Sequence, residues 1–176
     1  MSSLRAAIIT IFTRSPSVNF NHFDESGQAI MVDVSAKQST LRTAIAAAEV
    51  RLSAELLAAI KVGGIAKGDV FGIARLAGIM AAKRTSELIP LSHPLAIHNV
   101  TVDFELNEPV GLITVRCTVR ACERTGVEME AMTGAALTAL TIYDMCKGSD
   151  KSIAIGEIKL LFKEGGKSGT FNRLIK

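Results

Sequence analysis

The sequence contains no Trp and one Tyr, and it has three cysteines, Cys117, Cys122 and Cys146, with no C-x-x-C pair among them. So few aromatics leave no basic strand interleaved with stacking rings, which argues against a nucleic-acid partner. Three cysteines are too few for a disulfide framework in 176 residues and point to a reducing, cytoplasmic setting. Long apolar runs are also missing. The uncharged stretch Ala131 to Tyr143 is dotted with Thr, Leu88 to Val102 is broken by prolines and histidines, and both fall short of the roughly 20 residues that cross a bilayer, so no membrane partner is expected. No acidic residue precedes Asp24, a bias shared with transit peptides. The apolar run Ala6–Phe12 is followed by no clean cleavage site, and residues 1–20 read as a flexible leader.

What remains is one domain's worth of chain, residues 21–176, with 48% hydrophobic and 21% charged residues. The net charge of +3 is uneven. The segment Lys147–Lys176 alone carries a surplus of four positive charges, which suits an anionic partner such as phosphate or is simply a solvated lysine face.

Hydrophobic periodicity then supplies elements. Ala29–Val34 reads as a strand opening, while Ala-rich Thr40–Arg51 fits helix or strand. Ser53 is placed to cap a short helix through Ile60, and Asp69 opens a second helix that should end near Pro90. Alternation over Leu95–Leu106 and Leu112–Val119, around turn residues Asn107–Gly111, predicts a hairpin. A long helix follows from Val127 to Lys147, then a last strand over Ile153–Phe162. This order predicts an α+β ferredoxin-like sandwich, helices packed on a mainly antiparallel sheet, with an extra N-terminal strand.

Candidate chemistry is sparse. GGKSG at Gly165–Gly169 is not a Walker A loop, since the motif's first glycine falls on Leu161. Its glycines and lysines either present backbone N–H groups to an anion or form a flexible loop. His22, His93 and His98 have no metal-ligand spacing, so no metal site is expected. His93, bracketed by Pro90 and Pro94, is either a structural histidine or a ring held toward a cleft. Glu128 and Glu130 suit the positive end of their helix. Asp144 follows thirteen uncharged residues in a helix apolar nearly all round, so it should be largely buried, with Lys147 one turn on. The couple is either an i,i+3 ion pair or a pair poised for proton transfer.

Six ordered blocks, MVDVS, KGDVF, AAKRTSELIPLSHPL, TGVEMEAMT, ALTIYDMCK and GGKSG, closely resemble the cyclic pyranopterin monophosphate synthase family, also called molybdenum cofactor biosynthesis protein C. The likeness runs from about Gly27 to Arg173. It implies a ferredoxin-like subunit in a homohexamer, a trimer of dimers. The implied reaction takes (8S)-3',8-cyclo-7,8-dihydroguanosine 5'-triphosphate, a cyclised dihydro-GTP, to cyclic pyranopterin monophosphate with release of pyrophosphate. By position it implies catalytic roles for Asp144, Lys67 and Lys147 in acid–base steps. Leu91, Ser92 and His93 become one wall of the substrate pocket and Glu128, Met129 and Glu130 another, with Arg124, Lys163 and Lys167 toward the phosphates. No cofactor is required, and Mg²⁺ enters only as a companion of the triphosphate.

Two residues depart from the family pattern. Ser92 stands where a Cys is usual, which removes any covalent thiol role, and Arg124 replaces a Lys, keeping charge without a proton to give up. The competing reading is a non-catalytic ferredoxin-like module that senses a nucleotide or small anion.

Overall fold

The computed structural model describes residues 22–24, 26–63 and 68–173. The chain divides into two compact units, residues 1–32 and 33–176. In the described part of the first, the Asp24 carboxylate accepts from Ser26 Oγ at 2.7 Å and from the Gln28 N–H at 2.8 Å, closing a tight turn. A single bridge joins Phe23 to Ala29. The strand expected from Ala29 is not formed, because Ile30 and Met31 are exposed and no sheet receives their alternating pattern. The leader over residues 1–20 lies outside the described residues.

The second unit is built from β1 (Thr40–Arg51), α1 (Ala54–Lys61), α2 (Val70–Lys83), α3 (Thr85–Leu88), β2 (Ile97–Asn107), β3 (Leu112–Glu123), α4 (Glu128–Cys146), β4 (Ala154–Glu164) and β5 (Phe171–Asn172). All pairings are antiparallel, in the order β2-β3-β1-β4-β5. With helices joining β1 to β2 and β3 to β4, the first four strands form the ferredoxin-like α+β arrangement. The added strand, β5, lies at the C-terminal edge.

The ambiguous Ala-rich segment is the central strand. Lying between β3 and β4 overrides the helix propensity of its alanines, because neighbouring strands satisfy both edges and one face is fully covered. On that face Ala44, Ala46, Ala48 and Val50 join Ile113, Val115, Cys117, Val119 and Ala121 of β3 in the core beneath the helices. Ser53 caps α1 by accepting from the Leu56 N–H at 3.2 Å, and Asp69 caps α2 by accepting from Gly72 N–H at 2.8 Å. Helix α2 stops at Lys83, earlier than Pro90, and a separate turn, α3, takes the chain to the His93 loop.

Antiparallel α2 and α4 lie side by side on the sheet, and their closest approach is made by glycines. A Cβ on Gly78 would stand 2.0 Å from Thr138 Oγ1, and one on Gly134 would stand 2.5 Å from Cys117 Sγ. Lacking side chains, Gly78 and Gly134 therefore let the α2 backbone close on Thr138 and the α4 backbone close on Cys117 of the sheet. Ala in a helix gains about 1 kcal/mol over Gly, whereas overpacking costs about 1–3 kcal/mol, and contacts this short favour the second term. Gly78→Ala is expected to lower unfolding free energy by about 1–2 kcal/mol in urea titration. Adding Thr138→Ala should recover part of it, and an unchanged or raised stability in Gly78→Ala would show the helices to be less tightly apposed.

Candidate active site

The C-terminal end of α2 and the N-terminal end of α4 come together over the start of β2, leaving a small cleft lined by Lys83, Thr85, Ser86, His93, Leu95 and Glu130 among others. Thr85 is buried and its hydroxyl donates back to the Ala82 carbonyl at 3.0 Å, anchoring the break between α2 and α3. In the following loop Leu91, Ser92 and His93 are half-buried and His93 lines the cleft, with the Ser92 N–H on the Ile89 carbonyl at 3.0 Å.

Glu130 dominates this end. Its residue is 3% exposed, and Oε2 is a buried side-chain atom with no hydrogen-bond partner. Burial, with the neighbouring Glu128 charge adding to it, pushes its carboxyl up to about 7 against the lowering effect of its own backbone N–H. The first turn of α4 favours an anion, yet loss of solvent outweighs that. A carboxyl that holds its proton near neutrality beside an imidazole can exchange protons with a bound molecule.

Glu128 is turned elsewhere: its carboxylate meets Lys163 Nζ of β4 at 3.2 Å, both half-buried. Lys163 also donates to Ser168 Oγ at 2.6 Å, tying β4 to the GGKSG turn, where Lys167 is exposed. Arg124 is exposed on the approach to α4, and Met129 is exposed one position before Glu130. Lys67 lies outside the described residues.

Asp144 and Lys147 sit at the other end of α4. The expected burial of Asp144 is not found: the side chains of Asp144 and Lys147 are 58% and 52% exposed, joined by an ion pair of 2.7 Å. The apolar surroundings read from the sequence are split by the helix into a sheet-facing side and an outer stripe, and Asp144 falls on the stripe with Ala136 and Leu140. Nor is the Lys147 ammonium lowered toward neutrality; the hydrogen bond and charge of Asp144 raise it. Glu130 and Asp144 lie fourteen positions apart, about 21 Å along a helix, so one chain does not gather all the sequence-predicted residues into one cleft.

The sequence reading missed Arg42 altogether. It is 8% exposed on β1, with Nε donating to the Glu123 carbonyl at 3.2 Å and Nη2 to the Arg124 carbonyl at 3.3 Å. Its only sequence signal is a charge set within an Ala-rich strand. Among the described residues there is no grouping of His, Cys, Asp or Glu able to hold a metal, and no helix long and apolar enough to cross a membrane.

Comparison with known proteins connects both ends of α4 to one family. Residues 31–166 match the family model described as the MoaC family. Proteins named cyclic pyranopterin monophosphate synthase are similar over nearly their whole length. That of Pelobacter propionicus is 76% identical over 156 residues, 89% of this chain and 98% of its own. The Trichlorobacter lovleyi protein is 68% identical over the same shares, and the Clostridium perfringens protein is 54% identical over 86% of this chain and 96% of its own.

Glu130 gives stability a distinct pH dependence. The folded state holds its proton to about 7, against an ordinary value of 4.5. Its burial is therefore harmless below about pH 4.5, and stability falls as pH rises from there through about 7. Glu130→Gln should remove that fall, gaining on the wild type by an amount on the order of 2 kcal/mol between pH 5 and pH 8. Denaturant unfolding at both pH values checks this. Parallel pH profiles in the two proteins would mean that the carboxyl is solvated.

Proposed function

The chain belongs to the MoaC family, and on that premise we propose that it is a cyclic pyranopterin monophosphate synthase acting in molybdenum cofactor biosynthesis. It converts (8S)-3',8-cyclo-7,8-dihydroguanosine 5'-triphosphate to cyclic pyranopterin monophosphate and pyrophosphate. Rebuilding a purine-derived ring needs repeated proton transfers near neutral pH. Closing the cyclic phosphate expels pyrophosphate and needs cations around the oxyanions. Buried Glu130 at the His93 cleft is the observation that carries this reading, because a carboxyl near neutrality suits proton transfer, whereas a module that only binds anions gains nothing from burying an acid there. Arg124, Lys163 and Lys167 face the phosphates. The reading assigns no resident cofactor, and Mg²⁺ travels with the triphosphate. The protein works in the cytoplasm.

Asp144 and Lys147, with Lys67, act as the second acid–base group, and the separation along α4 says how they reach the substrate. Met129, Ala136, Leu140, Asp144 and Lys147 follow one another at helical spacing on the outer face of α4, and Met129 and Leu140 are exposed apolar residues. A second copy laid antiparallel on this stripe covers them and brings its Asp144 to the Glu130 end. Each site is then completed by two chains, within a homohexamer built as a trimer of dimers.

Three outcomes follow. Incubating the protein with the cyclised dihydro-GTP releases pyrophosphate; no release returns the chain to the anion-sensing module. Asp144→Asn, which keeps shape and loses ionisation, is expected to cut turnover by at least about a hundredfold while retaining assembly, and a near-normal rate would leave Asp144 as an ion-pair partner alone. Lys67→Arg is expected to bind the substrate nearly as well as wild type and turn over at least about a hundredfold slower, since Arg keeps the charge but not a transferable proton; an active variant would reduce Lys67 to an electrostatic clamp.

A further inference from the structure

One wall of the candidate cleft is carried by the loop between α3 and β2, and that loop is fastened at both ends. On the α3 side the Ile89 N–H reaches the Thr85 carbonyl at 2.9 Å and the Ser92 N–H reaches the Ile89 carbonyl at 3.0 Å. On the other side the chain enters β2, whose first pair with β3 is Ile97 with Ala121. The register slips here. Ile97 faces Ala121 and Asn99 faces Arg120, so His98 is an extra residue on β2, a bulge. One step before Ile97, Ala96 comes level with Cys122, where the regular β2–β3 ladder has already ended.

The two amides left at this point are taken by side chains that cross in opposite directions. Glu123 of β3 accepts from the Ala96 N–H through Oε1 at 3.1 Å, and His98 of β2 accepts from the Cys122 N–H through Nδ1 at 3.2 Å. Each bond replaces one that a facing strand would give. Glu123 is itself anchored, since its carbonyl accepts from Nε of the largely buried Arg42 at 3.2 Å and it pairs with Thr40 of β1. The held amide lies three residues after His93. Between them, Pro94 has one backbone angle fixed by its ring, and Leu95 lines the cleft with His93. A displacement of Ala96 is therefore passed to His93 through a short, stiffened link.

We propose that Glu123 is a positioning residue for the cleft: its carboxylate clasps the Ala96 N–H and so fixes the loop that sets Leu95 and His93 beside Glu130. Its part in turnover rests on the function proposed above, while the clasp itself rests on the bond to Ala96. The loop forms a wall and holds none of the groups assigned to acid–base steps, which are Glu130, Asp144, Lys147 and Lys67. Releasing it therefore weakens substrate binding, through lost preorganisation, more than it slows the chemical step. The clasp needs an oxygen acceptor and not a charge, and a glutamine side chain supplies one.

Full-length wild type, Glu123→Ala and Glu123→Gln are compared by amide hydrogen exchange resolved at Ala96 and by steady-state kinetics with the cyclised dihydro-GTP. In Glu123→Ala the Ala96 amide is expected to exchange at least about fivefold faster while the α4 amides keep their rates. KM is expected to rise at least about fivefold with kcat within about twofold of wild type. Glu123→Gln should recover most of both effects. Glu123→Thr, compatible with a strand but too short to reach Ala96, replaces the alanine variant if that one does not fold. Exchange at Ala96 within about twofold of wild type in the shortened variant would overturn the clasp. A Gln variant as impaired as the Ala variant would make the lost charge the cause and overturn it equally. Faster exchange with an unchanged KM would reduce Glu123 to a structural fastening and overturn its positioning role. A wild type that does not turn over the substrate would overturn the function, and exchange at Ala96 would still decide the clasp.

Discussion

The contact on which the rest of the structure depends is the glycine-to-glycine approach of α2 and α4 over the central sheet. With Gly78 facing the Thr138 side chain and Gly134 set against Cys117, neither glycine carries a side chain that would hold the helices apart at their crossing. Beyond that crossing the C-terminal end of α2, α3 and the start of β2 gather around Glu130, which is shut away from water with one of its oxygens lacking a hydrogen-bond partner. A looser arrangement there would admit solvent and return the carboxyl toward its ordinary range. Packing and proton affinity are thus the same fact seen at two scales.

Charge is arranged to match. One end of the sheet holds the largely buried Arg42, two lysines and a glycine turn, and the buried acid lies at the start of α4. An anionic, proton-exchanging ligand is what such a layout fits. Asp144 and Lys147, at the opposite end of α4, are a solvated pair in the single chain, and solvation keeps such a pair weak. The proposed function gives them a chemical task only through a second copy, so assembly and catalysis are coupled in it.

The hairpin of β2 and β3 was legible because its residues alternate with few exceptions, and the caps Ser53 and Asp69 because their side chains serve a local need that no tertiary contact alters. Less of β1 could be read, since alanine suits both a helix and the closely covered centre of a sheet. The outer and inner sides of α4 were hidden for a related reason: Ala, Gly and Thr recur all round it, and hydrophobicity alone does not say which side meets the sheet. Hence the misplaced burial of Asp144. Glu130 shows the converse, because a carboxylate in a first helical turn ordinarily faces water, and here segments distant in sequence, with Lys83, Thr85, His93 and Leu95, gather around it. Arg42 was invisible for the same cause, its partners lying more than eighty residues away.

The central claim is that an active site combines Glu130 of one copy with Asp144 of another, and mixing two inactive variants tests it most directly. Asp144→Asn and Glu130→Gln proteins are each assayed alone, then combined in equal amounts, exchanged through mild denaturation and refolding, and assayed for pyrophosphate release. Random pairing in two-fold dimers leaves one intact and one doubly substituted site in each mixed dimer, so about a quarter of wild-type activity should return. Recovery near that level is the predicted result. No recovery in a sample whose subunits are shown by mass to have exchanged would place the whole site within one chain and contradict the account.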